Sequence, residues 1–261
     1  MSLLEKKIYT VLALLLILIF PINSSGQNQS FIESGSIEFE RSENVFFYLD
    51  SYYGTLLEGD MKKYADEYKN NNSKFKLTSF ILDFDTNESI FLPKSNSELK
   101  IDFLSQFSSE NKVRVDFKRQ TYSAQKNIFG IKYYFNEPIK KINWKLTGET
   151  REIAGFLCRR ANGLIADSIY VVAFYTDQII PKGGPESFMG LPGMILGVAL
   201  PNEHITWFAK RYTPGRDRQL LIRNKIEGKA ITTSELDEVF KNERNRRTLN
   251  LLNFIKRRTL F

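Results

Sequence analysis

The chain has 261 residues, 42% hydrophobic and 13% aromatic, enough for one large domain or two small ones around a substantial core. Its formal charge of +7 belongs to the ends: residues 241–261 hold seven basic side chains against Glu243, and Lys6 and Lys7 outnumber Glu5. The stretch between is neutral, so no nucleic-acid partner is expected. Twenty-one Phe and twelve Tyr favour strands over helices.

Residues 1–26 read as a secretory signal peptide. Lys6 and Lys7 make a basic start, Val11 to Phe20 an apolar run, and Ser24-Ser25-Gly26 a small-residue cleavage site before Gln27. The apolar run falls short of the roughly 20 residues needed to span a bilayer. The expected mature protein is exported, to the periplasm or in association with the outer membrane. Cys158 is the single cysteine, so an exported chain is built without an internal disulfide.

Gly35 to Arg41 alternates apolar and polar residues, the period of a half-buried strand. Thr55 to Tyr68 has helical spacing, weakened by Gly59. Lys74–Phe84 and Glu88–Leu92 read as strands joined at Asp85-Thr86-Asn87, and the polar run 93–112 as a long loop. Val113–Lys118, Phe129–Phe135 and Ile142–Thr147 continue the strand pattern. Thr147-Gly148-Glu149-Thr150 then suggests a turn, Arg151–Ala161 a strand, and Asn162-Gly163 a hairpin turn. Ser168–Thr176, Met194–Leu200, His204–Arg211 and Gln219–Asn224 follow as strands, with Pro201-Asn202-Glu203 as a turn. Thr232 and Glu235 have capping-box spacing for a helix. The fold expected is mainly β, an antiparallel sheet forming a bowl or half-barrel with a few helices. A single domain spans 27–240, and a basic helix or tail follows at 241–261.

Between Thr176 and Met194 runs Pro181–Gly193, PKGGPESFMGLPG, in which seven of thirteen residues are Gly or Pro. Such density marks a backbone under constraint, because Gly reaches angles closed to other residues and Pro fixes φ while removing a donor. Leu191-Pro192-Gly193-Met194 suits a type II turn. No Lys-Ser/Thr follows the glycines, so this is not a phosphate loop and no cofactor is expected. The loop residues Gly184, Pro185, Gly190, Leu191, Pro192 and Gly193 stand as candidate binding positions, against a purely structural corner.

These residues sit in a longer pattern. Trp144-Lys145-Leu146-Thr147, Glu149 to Cys158, Ala173-Phe174-Tyr175-Thr176, Gly184-Pro185 and Gly190-Leu191-Pro192-Gly193-Met194-Ile195-Leu196 occur in one order and spacing. From Trp144 to about Tyr212 the chain resembles the GLPGLI family of exported Bacteroidetes proteins, with Met194 in place of the family's Leu. The resemblance implies no established enzymatic activity and a link with outer-membrane and TonB-dependent uptake systems. It also suggests similarity to the bowl-shaped half-barrels of lipoprotein carriers, hence a hydrophobic ligand on an aromatic inner face supplied by strands such as Ser168–Thr176.

Catalytic chemistry has few candidates. His204 is the single histidine, so one His and one Cys cannot build a zinc site. The rival reading is a hydrolase using Cys158, with His204 as base, or carboxylates. Asp83 and Asp85 share a strand face and suit either Ca²⁺ or a strand end. Asp167-Ser168-Ile169 resembles an O-glycosylation pattern of exported Bacteroidetes proteins. The basic residues Arg244, Arg246, Arg247, Lys256, Arg257 and Arg258 are the candidates for contact with an anionic membrane surface or an acidic partner, each contributing ~1 kcal/mol near such a surface.

Overall fold

Period-two burial lays this chain out as a sheet. In β1 (Gly35–Asn44), Ile37, Phe39, Arg41 and Glu43 all point to the buried side, and Ser36, Glu38, Glu40 and Ser42 to the other. The computed structural model describes residues 31–53, 60–94, 111–243 and 249–261, within a unit Phe31–Phe261. After β1 come α1 (Val45–Tyr48) with a π-helical turn at Leu49–Tyr53, α2 (Asp60–Asn71), β2 (Phe75–Phe84), β3 (Glu88–Pro93) and β4 (Lys112–Asp116). Then follow β5 (Thr121–Ile128), β6 (Ile131–Pro138), β7 (Lys145–Ile153), β8 (Phe156–Ile165), β9 (Ile169–Thr176), β10 (Met194–Leu200) and β11 (Ile205–Pro214). The chain closes with α3 (Arg218–Arg223), β12 (Lys229–Ala230), α4 (Thr233–Glu243) and α5 (Leu249–Arg258).

The strands form one twelve-stranded sheet in the order β12-β6-β5-β4-β3-β2-β1-β11-β10-β9-β8-β7. Each pairing is antiparallel except the short parallel contact of β12 with β6. The sheet is mainly β and mostly antiparallel, as the alternation implies, and it does not close into a barrel. β1 and β11 lie side by side near its middle, so the first strand pairs with one of the last.

Several turns fall elsewhere than the sequence suggests. Phe129 and Gly130 both have positive φ and make the β5–β6 hairpin turn inside the expected strand Phe129–Phe135. Ala154-Gly155 (φ 52° and 83°) turns β7 into β8 within the expected strand Arg151–Ala161. Asn162-Gly163 is no turn; it lies inside β8, and the hairpin turns at Ala166-Asp167. Gly163 is required for another reason: a Cβ there would stand 2.9 Å from both Ile142 and Trp144 side-chain atoms. Nor does Thr147–Thr150 turn the chain. Thr147, Gly148 and Glu149 bulge opposite Arg160, whose guanidinium grips Glu149 at 2.7 Å. That bulge sits on the edge strand β7, where it disfavours pairing with another chain.

The expected strand Gln219–Asn224 is helix α3 instead, because the Asp217 carboxylate caps the Gln219 N–H at 2.9 Å. The Thr232–Glu235 capping box forms as its spacing predicts, with Glu235 accepting the Thr232 N–H at 2.7 Å and Thr232 accepting the Glu235 N–H at 3.2 Å. The helix expected over Thr55–Tyr68 is found as Asp60–Asn71 in its described part. The signal peptide and most of the loop 93–112 lie outside the described residues.

Candidate functional site

The Gly/Pro run lies against the buried face of the sheet. Gly183, Gly184, Pro185, Leu191 and Gly193 are buried; Gly190 and Pro192 reach the surface. Gly193, at φ 143°, passes so close to β9 that a Cβ would stand 2.0 Å from the Thr176 carbonyl oxygen. At Gly184 a Cβ would meet the Phe188 carbonyl oxygen at 2.6 Å. The expected type II turn does not form. Gly193 N–H donates back to Leu191 O across Pro192 at 2.8 Å, while Met194 N–H donates to Ile179 O at 3.2 Å. Met194 is already the first residue of β10, laddered on Thr176, so it is not available to close a four-residue turn. Phe188 packs against Trp207 and Phe261 with ring centroids 5.6 and 6.0 Å away, and Trp144 Nε1 donates to Met189 O at 3.0 Å.

Among the described residues, the inner surface expected for a hydrophobic ligand is packed by the protein's own side chains. Val171, Ala173 and Tyr175 of β9 are buried in one core with Phe188, Trp207, Leu252, Ile255 and Phe261. The basic C-terminal segment is part of this packing. Lys256 pairs with Asp237 at 2.7 Å, Arg257 Nε donates to Glu203 at 2.8 Å, and buried Arg258 pairs with buried Glu43. Arg244, Arg246 and Arg247 lie outside the described residues. Glu43 also takes Arg41 at 2.9 Å. Burial works against the Glu43 carboxylate, yet the guanidiniums of Arg41 and Arg258 outweigh it and hold its pKa below the usual value.

A second buried polar group gathers under the loop. Glu186 (φ 50°, buried) accepts a hydrogen bond from Asn111 Nδ2 at 3.2 Å through Oε2, and its Oε1 has no hydrogen-bond partner among the described residues. Burial pushes the Glu186 carboxyl up, against the opposing charges of Lys126 and Arg41. Lys126, also buried, donates to the main-chain oxygens of Thr259 and Phe261 at 2.9 and 2.5 Å, and burial lowers its ammonium to about 8. Sequence reading missed Arg41, Glu43, Asn111, Lys126 and Glu186 as site residues. The signal was present: the register of Ile37 and Phe39 continued carries Arg41 and Glu43 inward, and that of Tyr122 and Ala124 carries Lys126.

The catalytic candidates do not assemble. Cys158 is fully buried, burial pushes its thiol up to about 12, and Sγ faces Phe156 O at 3.5 Å. His204, in the left-handed conformation at φ 53°, lies on the Phe47 ring, centroids 3.7 Å apart. Asp83 accepts from Ser36 Oγ at 2.6 Å, Arg216 Nε at 2.9 Å and Asp217 N–H at 2.9 Å. Asp85 pairs with the same guanidinium and caps its own turn through Asn87 N–H at 2.7 Å. Both carboxylates thus hold an arginine, and no group of three metal-ligating side chains occurs among the described residues. Ser168 stands exposed at the β8–β9 hairpin.

An open surface does exist on the opposite face of the sheet. Arg114, Ser123 and Asn136 stand in one cross-strand row over β4, β5 and β6, with Ser123 Oγ and Asn136 Oδ1 3.2 Å apart. They line a groove of about 310 Å³ with Asp116, Arg119, Thr121 and Tyr134. A neighbouring groove of about 290 Å³ shares Arg114, Ser123 and Tyr134 and is walled by Ile90 and the segment Asn224 to Glu227. Glu227 N–H donates to Gln125 Oε1 at 3.1 Å, which ties that segment to the sheet.

Fold and surface together define a mainly β protein on one open, mostly antiparallel sheet, packed on one face and grooved over β4, β5 and β6 on the other. Residues 163–197, from β8 through the Gly/Pro loop into β10, match the family model described as "Protein of unknown function (Porph_ging)". A search of curated proteins finds no match to the chain. Among solved structures the chain is similar to PNGF-II in its C2 crystal form, with TM-score 0.52 and 14% identity over 81% of this chain and 33% of that one. The P21 form of PNGF-II gives TM-score 0.52 and 13% identity over 81% of this chain and 34% of that one. The chain therefore spans about a third of the length of these solved chains, and the likeness is one of fold.

Proposed function

We propose that this chain is an exported, non-enzymatic GLPGLI-type protein that serves as a binding module for an outer-membrane or TonB-dependent uptake partner. The groove over β4, β5 and β6 carries the reading. It offers two guanidiniums, hydroxyls, an amide, a carboxylate and the Tyr134 ring, all but Arg119 on strands. Concave surfaces with a few placed polar groups are where recognition is built. The filled inner face turns the reading from a hydrophobic ligand toward a macromolecular partner. Buried Cys158, and the arginine-bound carboxylates Asp83 and Asp85, favour binding over hydrolysis.

A photo-crosslinking residue placed at Tyr134 of the full chain, expressed in its own envelope, tests this. Adducts with one envelope protein at Tyr134, and none from a control position at Leu164, are expected. Equal labelling from both positions, or no adduct at Tyr134, refutes the reading.

A further inference from the structure

The buried group beneath the loop brings together three side chains whose chemistry is complementary. Asn111 continues the inward register of Val113 and Val115, and Lys126 that of Tyr122 and Ala124. Lys112 pairs with Gln125 across the β4–β5 ladder, so one step further sets Asn111 opposite Lys126. Directly opposed residues stand roughly 5 Å apart at Cβ. Glu186 comes to Asn111 from the Gly/Pro loop and takes its Nδ2–H at 3.2 Å, with the Lys126 charge acting on its carboxyl. All three are at most 6% exposed.

We infer that Lys126 and Asn111 are substrates of an intramolecular amide exchange promoted by Glu186, which leaves an isopeptide bond between β5 and the start of β4. The Lys126 amine attacks Asn111 Cγ; the Nζ–Cγ bond forms and the Cγ–Nδ2 bond breaks. Glu186 in its acid form gives a proton to the departing nitrogen and recovers one from Nζ, so one ammonia leaves and Glu186 ends as it began. No oxidant, reductant or other reactant enters.

Four features favour the step. A neutral amine has two N–H groups and one lone pair. With both N–H groups given to Thr259 O and Phe261 O, the lone pair is the one valence left. The free Oε1 of Glu186 leaves a carboxyl oxygen for the proton that must move. Burial acts on both groups in the required direction, toward a neutral amine and a protonated acid. The positive φ of Glu186 is a strained conformation for this residue, of the kind that gathers at working sites.

The full-length protein, purified folded and then digested with trypsin, decides the matter. A branched peptide joining Ile101–Lys112 to Gln120–Lys132 through uncleaved Lys126 is expected, lighter than its two parts by about 17 Da, one ammonia. The peptide must be read directly, because an N-terminal Gln27 also loses ammonia on cyclising. Glu186→Gln, which keeps the side-chain shape, is expected to give the linear peptides. Linear peptides alone from the unaltered protein overturn the inference, and a branched peptide retained in Glu186→Gln overturns the role given to Glu186.

Discussion

Glu43 serves two buried guanidiniums, and this makes an asymmetric prediction. Arg258 and Glu43 have side chains 3% and 6% exposed, and Arg41 stands 2.9 Å from the same carboxylate with its own side chain 2% exposed. Removing one partner of a buried ion pair costs about 3–5 kcal/mol, because a charge is left in a low dielectric. In Arg258→Met the carboxylate keeps Arg41, so the loss is expected near the lower end, about 3 kcal/mol. In Glu43→Gln two guanidiniums lose their carboxylate, so the loss is expected near about 5 kcal/mol. Urea unfolding followed by the fluorescence of buried Trp207 measures both, with an unchanged m-value as the check on comparability. The folded-state pKa of Glu43 is depressed from 4.5, so its contribution is full above that value and is lost as pH falls through the folded pKa. Glu43→Gln should therefore flatten the acid limb of the stability profile. The reasoning fails if Arg258→Met proves as costly as Glu43→Gln.

Two further outcomes follow from the same geometry. Native protein at pH 8 should leave Cys158 unlabelled by a thiol reagent until it is unfolded; rapid native labelling would restore a cysteine mechanism. Gly193→Ala should destabilise by at least about 3 kcal/mol, while Gly148→Ala should stay within about 0.5 kcal/mol. The first Cβ would collide with the Thr176 carbonyl and the second has nothing within 4 Å, so equal effects in thermal melts would refute the close-approach account.

The loop shows how sequence and structure divide the work. Its Gly and Pro content announces a constrained backbone, but the constraint at Gly193 is the nearness of β9, a neighbour set by the sheet rather than by the local sequence. The same holds for Gly163, read as a turn residue from Asn-Gly and found inside a strand beneath Trp144. The chain turns instead at Ala154-Gly155 and Ala166-Asp167, where cross-strand register outweighs turn propensity. The outer groove was not legible at all. Arg114, Ser123, Tyr134 and Asn136 come from three strands, and only their pairing puts them side by side.

By itself the sequence determined that this would be an antiparallel β protein, because alternating burial is a local property written residue by residue. It also determined a C-terminal helix start through the Thr232–Glu235 box. Tertiary structure alone decided where the charges went. Lys256, Arg257 and Arg258 looked like a surface for an anionic partner. In the fold they meet Asp237, Glu203 and Glu43, the last two 54 and 215 positions away along the chain. A charge's partner is set by what the sheet brings within a few ångströms, and no local pattern carries that information.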